Sequence, residues 1–145
     1  MIVLDTSVLV DALTGPRRSS AALRRSIEAG ERLLMPSLVL FEWLRGPRRR
    51  KELEAQEALL PREQAIAFGP DEAALAARLY SEVSRPRGRE IDLAIAAVAL
   101  SHEARMWTLN TADFHDIPGL ELHEPDSSGE DGRHRGRPLQ RSGRR

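Results

Sequence analysis

The chain contains no cysteine, which excludes disulfide bonds, thiolate metal sites and a cysteine nucleophile and agrees with a reducing compartment. Lysine is nearly absent as well, Lys51 being the only one. No apolar run approaches the roughly 20 residues that span a bilayer, and no basic segment followed by a long apolar stretch opens the sequence. A soluble, cytoplasmic protein without a membrane segment is therefore expected. No glycine-rich turn follows the first apolar run, which removes dinucleotide binding from consideration. Net charge is absent too, but only as an average. Of 22 basic and 22 acidic residues, six arginines and three acids fall in residues 126–145, which leaves 16 basic and 19 acidic residues in 1–125. A mildly acidic body is not a general nucleic-acid glue, so local arginines and a cation would have to attract any phosphodiester it handles.

What is present is a body of one domain's length, residues 1–125, and a tail, 126–145. The tail holds a single large aliphatic residue, Leu139, among glycine, serine, proline and charge. It cannot bury enough apolar area to offset its ordering entropy and is expected to be a disordered, arginine-rich extension, with a weak RNA-contacting arm as its functional reading. In the body, short apolar runs alternate with longer helical patterns. Strands are predicted at Ile2–Asp5, Arg32–Met35, Ala65–Phe68, Met106–Leu109 and Leu120–His123, short as expected for strands covered on both faces. Helices are predicted at Ser7–Leu13, Ser19–Ala29, Ser37–Arg45, Arg48–Leu60, Asp71–Val83 and Glu90–Glu103. Strands separated by helices need crossover connections, so the fold class is α/β: a three-layer α/β/α sandwich around a short, mostly parallel sheet. Its functional crevice should lie beyond the carboxyl ends of the strands.

Four carboxylates sit at the edges of segments that must be buried. Asp5 is the only charge in IVLDTSVLV, Glu42 stands inside LVLFEWL, Asp92 inside EIDLAIAAVAL, and Asp113 inside TLNTADF. A buried carboxylate needs a partner, and no lysine or arginine lies within these apolar runs, so a divalent cation is the economical one. Each acid also has a plainer explanation: a helix cap for Asp5, a wet helix stripe for Glu42 with Arg45 nearby, a helix-dipole contact for Asp92, and turn chemistry for Asp113. Spacing leaves open whether Asn110 or Asp113 points at the site. Oxygen donors without cysteine favour magnesium or manganese over zinc. The four histidines are not at ligand spacing, and Asp116 reads as loop surface.

The segments MIVLDTSVLVDAL, PSLVLFEWLRG, REIDLAIAAVALSHEA and WTLNTADFHDIPGLEL, in this order, resemble the PIN-domain nucleases and, among them, the VapC-type ribonuclease toxins of bacterial toxin–antitoxin pairs. The resemblance covers residues 1 to about 125 and implies a PIN-like fold and a metal-dependent endoribonuclease site. Asp5, Glu42 and Asp92 then correspond to the family's acidic residues. Where many members carry an acid, this chain has Asn110, with Asp113 three residues on. The implied mechanism is phosphodiester hydrolysis assisted by one or two Mg2+ or Mn2+ ions held by Asp5, Glu42, Asp92 and Asp113, with Thr6, Ser7 and Asn110 in support. Clustered acids should show raised proton affinity when no metal is bound. Two basic runs flank these acids, and Arg45, Arg48, Arg49, Arg87 and Arg89 are the expected RNA contacts. The resemblance further implies an RNA substrate, a cognate antitoxin and a homodimer. The competing reading is a degenerate PIN-like protein that binds RNA or antitoxin without cutting. A haloacid-dehalogenase-type phosphotransferase is disfavoured because Ser7 stands where its second aspartate is needed.

Overall fold

Ile2–Leu4 forms a strand with no solvent exposure at any of its three residues, and that burial explains why the chain opens on an unbroken apolar run. The computed structural model describes residues 1–126; the predicted tail lies outside the described residues apart from Asp126. This first strand, β1, is central. It pairs in parallel with β2 (Leu33–Leu34), Ile2 opposite Leu33, and with β3 (Arg105–Trp107), Ile2 opposite Arg105 and Leu4 opposite Trp107. The sheet order is β2-β1-β3.

The two remaining predicted strands contract to single parallel bridges, Pro36 with Ile66 and Met106 with Leu122. Beside Ile66 the ladder is cut short because proline 36 donates no N–H and the chain turns into a helix at Ser37. Beside β3, Met106 carries both bonds: its N–H donates to Glu121 O and its carbonyl accepts from His123 N.

Six helices fill the connections: α1 (Thr6–Leu13), α2 (Ser20–Glu28), α3 (Ser37–Arg45), α4 (Arg50–Leu59), α5 (Pro70–Glu82) and α6 (Glu90–Ser101). Predicted helix ends hold to within two residues, with local causes. Gly30, at φ +86°, ends the α2 turn as only glycine does without strain. Gly46 ends α3 differently, in extended backbone at φ −77°, because Pro47 denies the helical region to the residue before it. Pro70 opens α5 at the first helical position, and the Gly69 N–H donates to Glu72 Oε2 at 3.2 Å.

From β1 the chain steps one way to β2 and then back past β1 to β3. Right-handed crossovers therefore put α1 and α2 on one face and the α5–α6 layer on the other. In α6 every residue from Leu93 to Ala99 is buried, and its alanines allow close approach by both α5 and β3. The helix α3 touches both α1 and α6, and that contact carries Glu42 to the end of the first strand. Trp43, Trp107 and Phe114 are the largest side chains sealed into the core.

Candidate active site

The carboxyl end of β1 runs straight into α1, with Asp5 as the hinge residue at φ −75°, ψ 155°. Its backbone N–H continues the sheet by donating to Trp107 O at 2.9 Å, which pins the residue against β3. The carboxylate does not cap α1. Instead it is buried, 4% exposed, and its Oδ2 accepts hydrogen bonds from Ser7 Oγ and Thr108 Oγ1, both at 2.8 Å. Each hydroxyl in turn accepts a backbone N–H: Leu109 N donates to Ser7 Oγ and Asn110 N to Thr108 Oγ1, both at 3.0 Å. With an amide hydrogen on each hydroxyl oxygen, both hydroxyl protons are committed to Asp5. Among the described residues Oδ1 takes no hydrogen bond, and no cation pairs with the carboxylate. A buried carboxylate so arranged retains an unmet demand for positive charge.

Glu42 reaches the same place from α3. Thr6 Oγ1 donates to Glu42 Oε1 at 2.8 Å, tying the third helix to the first residue of α1. Arg45 Nη2 stands 3.5 Å from Glu42 Oε2, but its side chain is 61% exposed, so the pair contributes little. Asp92 enters from the first turn of α6. Its carboxyl is pushed up to about 6, first by burial and then by the charges of Asp5, Asp113 and Glu42, with Arg89 opposing. The raised proton affinity expected of a metal-free acid cluster is therefore found, and it falls on Asp92.

Asp5, Glu42, Asp92 and Asn110 line one cleft of about 500 Å3, together with Thr6 and Ser7. Asp113 does not line it. That residue sits exposed in a 3-10 turn (Thr111–Asp113), and only its field reaches Asp92. Among the described residues no three acids or histidines stand close enough to cage one ion directly. The set nevertheless fits a hard cation, because all its donors are oxygen and the negative charge gathered around Asp92 raises its affinity for a positive partner. Magnesium in particular keeps several waters and takes only one or two carboxylates directly, so looser acids can act through water.

The predicted arginines divide. Arg49 and Arg87 are exposed, and Arg45 lies 5.4 Å over the Phe41 ring. Arg48 is folded back: its guanidinium lies 4.2 Å over Trp43, with Nε donating to Trp43 O at 3.0 Å. Arg89 is tied down more firmly. It forks onto Asp116, Nη1 to Oδ2 at 2.9 Å and Nη2 to Oδ1 at 2.6 Å, and Nη2 also donates to the Asp113 carbonyl at 2.8 Å. Arg48 and Arg89 are thus partly engaged within the chain, whereas Arg49 and Arg87 are exposed. Asp116 is exposed in the loop, as expected, and also braces the 111–116 turn through Arg89.

A family model described as PIN domain matches residues 2–120. The chain belongs to the PIN domain family. Ribonuclease VapC19 of Mycobacterium tuberculosis is 33% identical over 123 residues, 83% of this chain and 98% of that relative. The VapBC2 structure from Rickettsia felis, bound to a promoter DNA fragment, aligns with TM-score 0.67 and 22% identity over 87% of this chain and all of its counterpart. DNA-bound VapBC from Salmonella typhimurium aligns with TM-score 0.67 and 19% identity over 84% of this chain and 96% of its counterpart. At such identities the structures speak for the PIN fold, and the α/β/α sandwich with its short parallel sheet is that fold.

Sequence reasoning missed four residues in or beside the cleft of this PIN domain. Thr108, one of the two hydroxyl donors to Asp5, carried a signal as the first polar residue after the buried β3. Asp11 and Thr14 also line the cleft, four and seven residues after Ser7, on one helical face of α1. Arg18, in the loop after α1, lines it as well and had no periodic signal.

Proposed function

We propose that this PIN domain is a divalent-metal-dependent endoribonuclease and the toxin of a toxin–antitoxin pair. The observation that carries the reading is the meeting of Asp5, Glu42 and Asp92, from segments far apart in the chain, along one cleft at the carboxyl end of β1. The relative named Ribonuclease VapC19 supports RNA as substrate, and the VapBC complexes support a protein antitoxin. Magnesium or manganese is the ion this oxygen donor set suits; Asp5, Asp92 and Glu42 would hold it, with Asn110 through its carbonyl or Asp113 through water. Such an ion would supply an attacking water of lowered pKa and neutralise charge on the reacting phosphate.

The chain's own groups have separate tasks. Ser7 and Thr108 fix the Asp5 carboxylate through Oδ2, so that Asp5 would be held in place to bind a cation. Thr6 orients Glu42, and Asp92, pushed up to about 6 by burial and the neighbouring acids, is an acid whose ionised form a bound cation would favour. Of the arginines the sequence pointed to, Arg45, Arg49 and Arg87 are exposed and available to RNA. A homodimer and a cytoplasmic location belong to the same proposal; among the described residues no helix is long and apolar enough to cross a membrane.

Fragment release from RNA on magnesium titration tests the reading, with Asp5→Asn as the control expected to be folded and silent. Asn110, at the position where many family members carry an acid, favours a second reading, a member that binds RNA without cutting. That protein holds RNA equally well in chelator and releases no fragments with magnesium.

A further inference from the structure

An RNA strand approaching this cleft meets Asp5, Asp11, Glu42 and Asp92, so the polyanion is repelled unless positive charge stands at the rim. That charge is present in the loop joining α1 to α2. Arg18 lines the acidic cleft itself. Arg17, beside it, lines a second cleft of about 530 Å3 together with Arg49 and Lys51, and Gly15 borders both, so the two hollows share an edge. Both loop arginines are exposed, and among the described residues neither forms an ion pair, unlike Arg89.

The loop is also built to stay put. Ser19 is buried and donates from Oγ to Asp11 Oδ2 at 2.6 Å, while Arg17 N donates to Thr14 O and Ser20 N to Arg17 O, both at 3.1 Å. Arg17 itself has φ +53°, a left-handed backbone where glycine or asparagine is at ease and arginine is strained. A long cation at a position that favours glycine, without an ion pair among the described residues and next to the arginine that lines the acidic cleft, points to a ligand of opposite charge.

We propose that Arg17 and Arg18 form a backbone-phosphate subsite for single-stranded RNA, which carries the strand from the acidic cleft into the basic hollow of Arg49 and Lys51. The subsite rests on the reading of the acidic cleft as the place of cleavage. It binds the nucleotides flanking the cut, reads charge rather than base identity, and makes the substrate an extended strand instead of a dinucleotide.

The test is fluorescence anisotropy of a fluorescein-labelled single-stranded RNA of about 20 nucleotides, long enough to fill such a groove, titrated in EDTA over a range of salt. Arg17→Gly/Arg18→Gln, whose glycine relieves the left-handed strain, should weaken binding several-fold and flatten the slope of log Kd against log salt by about 0.7 per arginine. Arg17→Lys/Arg18→Lys should restore the slope, and Arg78→Gln, which removes a charge on α5 outside both clefts, should leave it unchanged. Unaltered affinity and slope in the glycine–glutamine variant, with melting showing it folded, overturn the subsite. So does a variant that binds RNA normally but loses a purified antitoxin, which would assign the loop to the protein partner. Because binding is read without cleavage, the two proposals fail separately: wild-type protein that cuts nothing with magnesium sinks the nuclease reading, while an unaltered salt slope sinks only the subsite.

Discussion

Asp5 and Asp113 both follow a buried parallel strand, yet one is sealed into the cleft and the other stands in solvent. Asp5 succeeds β1 with no intervening residue and is held between Ser7 and Thr108. Asp113 comes after Thr108, Leu109 and Asn110 have left β3, in a 3-10 turn whose carbonyl, not its carboxylate, is gripped by Arg89. The difference lies in the exit from the strand. An acid at the end of the strand inherits the sheet's direction, whereas a turn of several residues resets it, so Asn110 lines the cleft and Asp113 stands outside its lining, its charge still raising Asp92.

Replacing the two acids in turn tests that difference most strongly. Asp5→Asn should lower single-turnover RNA cleavage by about 10^3-fold or more, a barrier increase of roughly 4 kcal/mol, since the group proposed to hold the cation loses its charge. Asp113→Asn should cost about tenfold or less in the same assay. Equal losses would make the two strand ends equivalent and break the comparison. The hydroxyl support of Asp5 comes next. Thr108→Val removes one donor to the carboxylate and the acceptor for Asn110 N–H, and should cost roughly 1–3 kcal/mol in urea unfolding, with activity down about 10- to 100-fold as for other groups that orient a metal ligand.

The turn's own brace is smaller in effect. Arg89→Ala should lower stability by about 1–2 kcal/mol, because the fork to Asp116 is partly exposed, and leave the salt slope of RNA binding unchanged. A slope that flattens by about 0.7 would return Arg89 to the RNA contacts. Smallest is the pH effect at Asp92. Its folded carboxyl titrates near 6, above the unfolded value of about 3.9, so the neutral form favours the folded state and that advantage fades as pH rises through 6. Without metal, Asp92→Asn should therefore melt higher than the parent at pH 7.5, by about 2 °C. The two should converge below pH 4, and magnesium should raise the parent's melting temperature more at pH 7.5 than at pH 5. A variant that melts lower at pH 7.5 would show that Asp92 is not under charge repulsion.

Much of this was legible in the residues. Apolar runs too short for helices and too continuous for half-exposed strands marked β1 and β3, and α3 was read to its exact ends because Pro36 and Gly46-Pro47 bracket it. The acids Asp5, Glu42 and Asp92 could be picked out because a charge in an apolar run is costly enough to need a reason. The arginines were not separable. Arg17, Arg18, Arg48 and Arg89 all occur in arginine-rich loops, and a long flexible cation has no periodic signature to say whether its partner is internal or external. Asp116 as the partner of Arg89, 27 residues away, and Thr108 as the partner of Asp5, 103 residues away, lie beyond what local spacing can indicate.

The order of elements, the parallel character of the sheet and the identity of the acids that must meet are set by the sequence itself, through hydrophobic periodicity, proline and glycine punctuation, and the cost of burying charge. Which oxygen of Asp5 is held, why Asp113 stays outside the cleft, and which arginines are tied down within the described residues were decided only when distant segments packed together. Those outcomes turn on distances of a few ångströms between side chains that share no local pattern, and tertiary packing alone sets such distances.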